Sequence, residues 1–304
     1  MNTTVPTPST PVIVLLAPTA LLVLGLACAS GDHGLESATA TPAVPTHDDA
    51  MGPAIRASLA GNQRKDTERA RDGARHPLET LTFFGLRGDA TVVELWPAGG
   101  YYTAILAPVL ADRGKLVVTH FDPHGDPASE DTQETHATLD RLAGASAIFG
   151  KVGTQQISAG GFSFGPDASA DFVLTFRNVH NWIEAGYADQ VFTAAARVLK
   201  PGGVLGVEEH RGAPGMTTQQ IRDTGYVPED VVVQLASHAG LRLAGSSEIN
   251  ANARDTKDYP HGVWSLPPTL AGKDVDRARY VAIGESDRMT LRFVKAEPSS
   301  ATAP

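Results

Sequence analysis

The sequence has one cysteine, no lysine or arginine before Arg56, and no excess of positive charge. With a single thiol no disulfide can form within the chain, so cysteine pairing gives no information about the redox compartment. The formal net charge of −9 argues against a nucleic-acid-binding surface, which requires a basic stripe. We find no internal repeat. What remains is an acidic globular chain of 304 residues, 42% apolar, which is long enough to bury a substantial core.

The N-terminal region contains an apolar segment, residues 11–27, followed by Cys28-Ala29-Ser30. The segment is interrupted by Pro18 and is shorter than the ~20 residues of a membrane span. An apolar stretch before small residues is typical of a secretory signal, although residues 1–10 carry no lysine or arginine. We therefore predict that residues 1–29 are a signal peptide or lipoprotein leader and that the protein is exported, either periplasmic or membrane-anchored.

Cys28 has two interpretations. It is either an incidental small residue beside a signal-peptidase site or the lipid-attachment site of a lipoprotein. The residues Leu24-Gly25-Leu26-Ala27-Cys28 resemble the bacterial lipobox, although Gly25 stands where leucine is usual. We favour lipidation, which predicts membrane attachment through Cys28.

Residues 30–54 are rich in Ala, Thr, Pro, Gly and Asp and have almost no large apolar side chain. Such a segment cannot bury enough surface to order itself, so it is predicted to be a flexible linker. Residues 298–304 have the same character and are predicted to be a disordered tail. The folded domain is therefore predicted over residues 55–297.

Within that domain, predicted strands and helices alternate. The strands are expected at residues 91–95, 115–121, 147–151, 170–176, 203–208, 241–249 and 288–294. The helices are expected at residues 64–75, 78–84, 102–111, 132–143, 187–199 and 228–239. This alternation predicts an α/β, Rossmann-like doubly wound sheet that is mostly parallel. The last strand follows an irregular segment rather than a helix, so we expect it to be antiparallel.

Three segments carry a family resemblance. They are Glu94-Leu-Trp-Pro-Ala-Gly-Gly100 at a strand-to-helix turn, Phe176-Arg-Asn-Val-His-Asn-Trp182 after another strand, and Arg197-Val-Leu-Lys-Pro-Gly-Gly203. In order and spacing they resemble class I S-adenosylmethionine-dependent methyltransferases. More narrowly, together with C-terminal segments such as Gly262-Val-Trp-Ser-Leu-Pro-Pro268, they resemble a bacterial group of exported predicted methyltransferases. The resemblance spans roughly residues 55–296.

The resemblance implies S-adenosylmethionine as cofactor and assigns its contacts. In this fold ligands lie at the carboxyl ends of the parallel strands, where the strand order reverses. The implied cofactor residues are Glu94, Trp96, Gly99, Gly100 and Asp122. Asp122 is expected either at the ribose hydroxyls or in a turn before Pro123. Trp96 and Ala98 occupy two positions where glycine is expected, and no acidic residue follows the third strand to meet adenine. The loop therefore has the position of a nucleotide-binding loop, but Trp96 and Ala98 change the side chains that would surround the nucleotide.

The polar residues after the fourth and fifth strands are candidates for catalysis. His180 could act as a general base, because imidazole titrates near neutrality, and Asn178 could position the substrate. Both asparagines of this loop could instead cap a helix. Expected substrate-binding residues are Arg177, Trp182, His210, Tyr259 and Trp264. The last two lie in residues 250–286, which we predict to form a lid over the pocket.

A second hypothesis is a metal site at the same rim. Imidazoles and carboxylates are good ligands for a divalent transition metal, and strand ends would bring together His120, Asp122, His180, Glu209 and His210. No local spacing of histidines supports it.

The function implied by the resemblance is methyl transfer from S-adenosylmethionine to an unidentified small-molecule acceptor. Export conflicts with this function, because the cofactor is made in the cytosol. Two alternatives follow: a metal-assisted hydrolase or lyase on the same fold, and an exported, non-catalytic protein that binds a small molecule.

Overall fold

The buried segment at residues 91–95 forms a central strand of a seven-stranded sheet. The structure is a computed structural model, and it describes residues 51–297. The predicted leader with Cys28, most of the predicted linker and the predicted tail lie outside the described residues.

The elements follow one another in the predicted alternating order. The strands are β1 (Thr91–Leu95), β2 (Lys115–His120), β3 (Gly153–Gln156), β4 (Ala170–Phe176), β5 (Leu199–His210), β6 (Leu241–Ser247) and β7 (Arg288–Lys295). The helices are α1 (Met51–Ala60), α2 (Asp66–Arg69), α3 (Asp72–Arg75), α4 (Pro77–Phe84), α5 (Thr103–Leu110), α6 (Glu130–Gly144), α7 (Ser146–Phe149), α8 (Val179–Glu184), α9 (Ala188–Val198), α10 (Thr218–Thr224), α11 (Glu229–His238) and α12 (Arg277–Ile283). A short 3-10 helix spans Gly262–Ser265.

The strand order is β3-β2-β1-β4-β5-β7-β6. Strands β1 to β5 pair in parallel, and β7 pairs antiparallel with both β5 and β6. The predicted α/β fold class and the antiparallel last strand are therefore confirmed. The order reverses between β1 and β4, so the carboxyl ends of these two strands frame a crevice suited to a ligand.

Two apolar layers enclose the sheet. One contains Ile55 of α1, Leu81 of α4 and Ile105 of α5, all fully buried. The other contains Val191 and Phe192 of α9, with α8 and α11 on the same side. Because the central strands are covered on both faces, they read as continuous apolar runs, which is what made them recognisable in the sequence.

Three sequence predictions of local structure need correction. The strand expected at residues 147–151 is wrong: α7 occupies most of it, and β3 lies further on. The helix expected at residues 64–75 divides into α2 and α3. The domain begins earlier than predicted, since α1 includes residues 51–54 of the expected linker. Within residues 51–297 no helix combines the length and apolar character needed to cross a membrane.

Candidate functional site

The loop after β1 keeps the torsion angles of a glycine-rich loop although two of its glycines are replaced. Trp96 and Ala98 have φ of 44° and 47°, and Gly100 has φ of 73°. Left-handed backbone costs a residue with a side chain roughly 1–2 kcal/mol. The surrounding structure holds the strained loop in place: the Trp96 N–H donates to Thr119 Oγ1 at 2.9 Å.

The indole of Trp96 is the centre of an aromatic cluster. Its ring centroid lies 5.1–6.1 Å from those of four other rings, which come from the segments after β2, β3 and β4. We define the aromatic cluster as Phe121, Phe162, Phe164 and Trp182 together with Trp96. Tilted and edge-on rings at these distances attract one another and bury apolar surface, so the aromatic cluster is stably packed.

The aromatic cluster fills the side of the crevice above β1, β2 and β3. The space between the ends of β1 and β2, lined by Trp96, Thr119, His120 and Phe121, measures about 20 Å³. That volume holds about one water molecule and is far too small for a ribose. The residues present at the expected nucleoside position therefore do not fit S-adenosylmethionine.

Two of the expected cofactor residues make hydrogen bonds within the protein. Asp122 is exposed, and its carboxylate accepts a hydrogen bond from the His124 N–H at 2.9 Å, so it stabilises a turn. Glu94 is 1% exposed and accepts a hydrogen bond from the Thr103 hydroxyl at 2.7 Å, inside the domain. Burial raises the pKa of Glu94 to about 7, in spite of that hydrogen bond.

The two glycines of the loop face α6. The carbonyl oxygen of Gly99 accepts from Arg141 Nη1 at 2.6 Å, and a side chain at position 100 would meet Arg141. Both positions therefore serve the packing of α6 against the loop.

A much larger cavity lies beside the aromatic cluster, above the ends of β4 and β5. It measures about 870 Å³, and we call it the large cavity. Its walls come from the loop after β1, α6, α8, the end of β5 and the segment before β7. The polar side chains that line it include Arg71, Arg75, Arg177, Asn178, His180, His210, Glu285 and Ser286.

His180 is the best-placed base in the large cavity. It is 6% exposed, and its Nδ1 lies 3.0 Å from Oε1 of the fully buried Glu209. Both Glu209 oxygens also accept backbone N–H groups, from Val179 at 2.6 Å and from His210 at 2.8 Å. Because Glu209 is an acceptor in these contacts, His180 carries its proton on Nδ1, which leaves Nε2 as the basic nitrogen.

His210 stands beside this pair, with its ring centroid 5.3 Å from that of His180. Its Nδ1 forms a 2.5 Å hydrogen bond with the Ser286 hydroxyl. Burial lowers the pKa of His210 well below its usual value, and His180 and Arg177 lower it further. His210 is therefore neutral at pH 7 and suited to hydrogen bonding rather than to carrying charge.

Asn178 lines the cavity but acts mainly on the loop after β1. Its Nδ2 donates to the carbonyl oxygens of Leu95 and Trp96 at 3.1 and 3.3 Å, and to the Thr175 hydroxyl at 3.1 Å. It is the N-cap residue of α8, but its side chain does not cap that helix. Asn178, which we predicted to be catalytic, therefore links the end of β1 to the end of β4 through these hydrogen bonds.

The expected metal ligands come together only in part. One ligand atom from each of His180, Glu209 and His210 lies within 4.8 Å of the others. Asp122 faces solvent, and His120 bonds the carbonyl oxygen of Phe121 beside the small crevice. The Glu209 carboxylate already accepts hydrogen bonds from three donors, so only the two imidazoles remain as metal ligands. A catalytic zinc site uses three protein ligands. The arrangement suits an oriented base better than a metal.

The predicted substrate-binding aromatics have different places. Trp264 lines the large cavity, with its ring centroid 6.0 Å from that of His180. Trp182 is 1% exposed and belongs to the aromatic cluster, and Tyr259 packs against Tyr280 outside the cavity. The expected roles of Trp182 and Tyr259 in substrate binding are therefore corrected to packing.

The segment before β7 lines part of the large cavity, and its role as a lid stays a prediction. Its contribution comes from Val263, Trp264, Pro267, Pro268, Thr269, Glu285 and Ser286. It is anchored: Asp255 accepts from the Tyr226 hydroxyl at 2.8 Å and from the Asp287 N–H at 2.7 Å.

Sequence reasoning missed two of the three arginines at the cavity wall. Arg71 and Arg75 lie more than 200 residues from Glu285, with which they pair. The only signal was their place in a charged segment, which is equally typical of a solvated helix. Glu285 stood within a C-terminal motif but had no local pattern that marked it as a partner.

The comparisons with known proteins agree on the fold. The chain superposes on the [4+2]-cyclase SpnF with a TM-score of 0.52 and 17% identity, over 81% of this chain and 93% of that one. For a putative sarcosine dimethylglycine methyltransferase from Galdieria sulphuraria, the TM-score is 0.50 and the identity 13%, over 83% and 91%. For a SAM-dependent methyltransferase from Aquifex aeolicus, the values are 0.47 and 15%, over 80% and 97%.

The chain therefore shares its fold with the cyclase and with the Galdieria sulphuraria protein, at identities that establish the architecture alone. No family model matches the sequence, and no curated protein matches it. Function must accordingly be argued from the site.

Proposed function

We propose that the chain is an enzyme in which His180 removes a proton from a small molecule bound in the large cavity. The observation that carries the proposal is the 3.0 Å contact between His180 Nδ1 and the buried Glu209 carboxylate. Glu209 selects the tautomer with a free Nε2, fixes the ring and stabilises the imidazolium that forms when Nε2 accepts a proton. Neutral His210 and Trp264 stand beside the base, where they can bind the substrate and keep water from it.

The test is a comparison of turnover by the wild-type chain and by His180→Asn. Asparagine keeps an N–H donor for Glu209 but has no basic nitrogen. Each full-length protein is incubated with a bacterial small-molecule extract, and depletion and formation of compounds are followed by mass spectrometry. General-base catalysis contributes typically 10²–10⁴-fold, so the rate of any conversion by the wild type should fall by about that factor.

His238→Asn is the matched control, since His238 is exposed and far from the cavity walls. It should convert the same compounds at the wild-type rate. If His180→Asn also converts them at that rate, the base is wrongly assigned. A compound that the wild type retains without converting would favour the non-catalytic binding alternative.

Methyl transfer from S-adenosylmethionine is a second candidate function. The fold supports it, and the large cavity extends from Ala98 in the glycine-type loop to His180, a base that could activate an acceptor. The aromatic cluster argues against methyl transfer, because it occupies the space that the nucleoside part of the cofactor would need. Calorimetric titration of the wild-type chain with S-adenosylmethionine and S-adenosylhomocysteine decides: saturable heat supports methyl transfer, and its absence in folded protein argues against it.

We also propose that the chain is exported and lipidated at Cys28. The proposal is supported by the apolar run and the lipobox-like residues 24–28. Expression of wild type and Cys28→Ser with globomycin, followed by fractionation, tests it. Wild type should move to the membrane fraction and accumulate as precursor under globomycin, and Cys28→Ser should not. A soluble cytosolic product from both chains would refute the leader assignment.

A further inference from the structure

Four arginines surround one buried carboxylate in the wall of the large cavity. The carboxylate is that of Glu285, whose side chain is 8% exposed. Guanidinium nitrogens approach it at 2.6 Å from Arg71, 3.4 Å from Arg75, 3.8 Å from Arg177 and 2.6 Å from Arg288. We call these four residues the arginine cluster. Three of them, all except Arg288, line the large cavity.

The carboxylates in contact with the arginine cluster do not balance its charges. Glu208, 3.1 Å from Arg288, is the second carboxylate beside it, so four positive charges face two negative ones. Counting the neighbouring Glu209 as well still leaves one positive charge without a partner. Unbalanced charge in a partly buried site is costly, and a bound anion would offset it.

Donors for such an anion are available at the cavity. The guanidinium of Arg177 forms no hydrogen bond with any residue in the range 51–297, and its Nε is buried there without a partner. Nη2 of Arg71 is in the same condition. The side chain of Arg177 is 21% exposed and that of Arg71 is 25% exposed, so both guanidinium groups can offer N–H donors to a molecule in the large cavity.

The backbone of Arg177 has an unusual conformation at the cavity. Its φ is 62°, a left-handed conformation that is strained for a residue with a side chain. The strain is maintained by the Arg177 N–H, which donates to the Glu208 carbonyl oxygen at 2.7 Å. Burial, followed by repulsion from Arg75, lowers the pKa of Arg177 to about 10, so the side chain is still cationic at pH 7.

From this geometry we infer that the arginine cluster is an anion subsite, in which Arg177 and Arg71 bind an oxyanion group of the substrate, a carboxylate or a phosphate. The inference rests on the proposed function, since it names the substrate class for the same cavity. Guanidinium groups bind both kinds of oxyanion through paired N–H donors. Arg177 precedes His180 by three residues and lines the same cavity, so an anion held there leaves the rest of the molecule beside the base.

Acidic residues in the wall of the large cavity limit the size of the anion. Glu130, Asp131 and Glu134 of α6 also line the large cavity. Burial raises the pKa of Glu134, and Glu130 and Asp131 raise it further, which shows mutual repulsion along this wall. A polyanion that spanned the cavity would meet that repulsion. The substrate is therefore expected to carry its anionic group at one end only.

The test measures binding of simple anions to the full-length chain without any turnover. Calorimetric titrations with inorganic phosphate and with acetate are made at constant ionic strength against chloride. We expect saturable binding of at least one of them. In Arg177→Met the Kd should rise by about tenfold or more, because a charge-assisted hydrogen bond is lost. Arg197→Met is the matched control, since Arg197 is 47% exposed and pairs with Asp167, and its Kd should equal that of the wild type.

Every outcome decides the inference. Binding of phosphate alone or acetate alone supports it and identifies the oxyanion, and binding of both supports a general subsite. It is overturned if neither anion binds to the wild type, or if Arg177→Met binds as tightly as the wild type. If Arg177→Met does not fold, Arg71→Met, at a 25% exposed side chain, takes its place with the same criteria. Failure here leaves the His180 proposal standing, because a base can act on a neutral substrate.

Discussion

Trp96 adopts the torsion angles of the glycine that it replaces, while its indole takes up space that a glycine would leave open. The loop therefore keeps the shape of a nucleotide loop and loses the room for the nucleotide. The replacement itself is visible in the sequence, but the direction of the indole is not. It depends on Phe121, Phe162, Phe164 and Trp182, which are distributed over 62 positions of the chain and meet only in the fold.

Replacing Trp96 with glycine should open the crevice. Glycine adopts a φ of 44° without strain, so the loop is expected to keep its course. Loss of the indole should lower the free energy of unfolding by about 3–5 kcal/mol. The variant should then bind S-adenosylhomocysteine in a calorimetric titration in which the wild type gives no saturable heat.

Trp96→Phe is the control for this variant, because a phenyl ring still fills most of the crevice. It should resemble the wild type in binding. Equal affinity for S-adenosylhomocysteine in wild type and Trp96→Gly would show that the indole does not exclude the nucleoside, and would favour methyl transfer.

The strands that were predicted most accurately are those that are buried on both faces. The bounds predicted for β1 and β4 agree with the structure, because both strands are central, parallel and buried on two faces. The edge strand β3 was missed. Its residues, Gly153-Thr-Gln-Gln156, are polar and half exposed, whereas the apolar Ala147-Ile-Phe149 just before them forms α7 instead. Pairing with β2, which is a tertiary contact, determines where this strand lies.

The residues of the candidate site also differ in whether the sequence predicts them. His180, Arg177 and Trp264 lie in short motifs that the sequence shows directly. Apart from Arg177, the arginine cluster could not be predicted, because α3 and the segment before β7 must fold together before Arg75 and Glu285 meet. No local periodicity records a contact over that separation.

The 3-10 helix at Gly262–Ser265 holds Trp264 over the cavity, and Gly262 is the position that permits it. Its φ is 50°, and a Cβ there would collide with the backbone of Thr224. Gly262→Ala should therefore lower the free energy of unfolding by about 2 kcal/mol or more, as measured by urea denaturation.

The control for Gly262 is Gly73→Ala in α3. No atom lies within 4 Å of the Cβ that alanine would add there, and alanine favours a helix over glycine by up to ~1 kcal/mol. This variant should be as stable as the wild type or more so. If the two alanine variants had the same stability, the packing of the lid segment against α10 would be much looser than the structure indicates.

The stability of the whole domain should depend on pH through Glu94. Burial raises its pKa from 4.5 to about 7 in the folded protein, so folding favours the protonated form. The corresponding stability is present in full below pH 4.5 and is lost as the pH rises through about 7. Such a shift corresponds to about 3 kcal/mol. Relative to the wild type, Glu94→Gln should therefore gain up to about 3 kcal/mol at pH 8 and little at pH 4.5.

Urea denaturation at the two pH values measures this difference, with Glu79→Gln at an exposed position of α4 as the control. Glu285 behaves oppositely. Burial raises its pKa, but Arg75 and Arg288 outweigh burial and lower it to about 2. Its contribution to stability is present above pH 4.5 and is lost as the pH falls toward 2, so it does not interfere with the comparison. An equal gain for Glu94→Gln at pH 8 and pH 4.5 would contradict the assignment.

The aromatic cluster also has a pharmacological consequence. If the calorimetric titration with S-adenosylmethionine gives no saturable heat, the tryptophan at the nucleoside position also predicts which inhibitors the protein can bind. Compounds built on adenosine should then leave the protein unaffected, because they need the same space. Screening for inhibitors should instead begin with small acids.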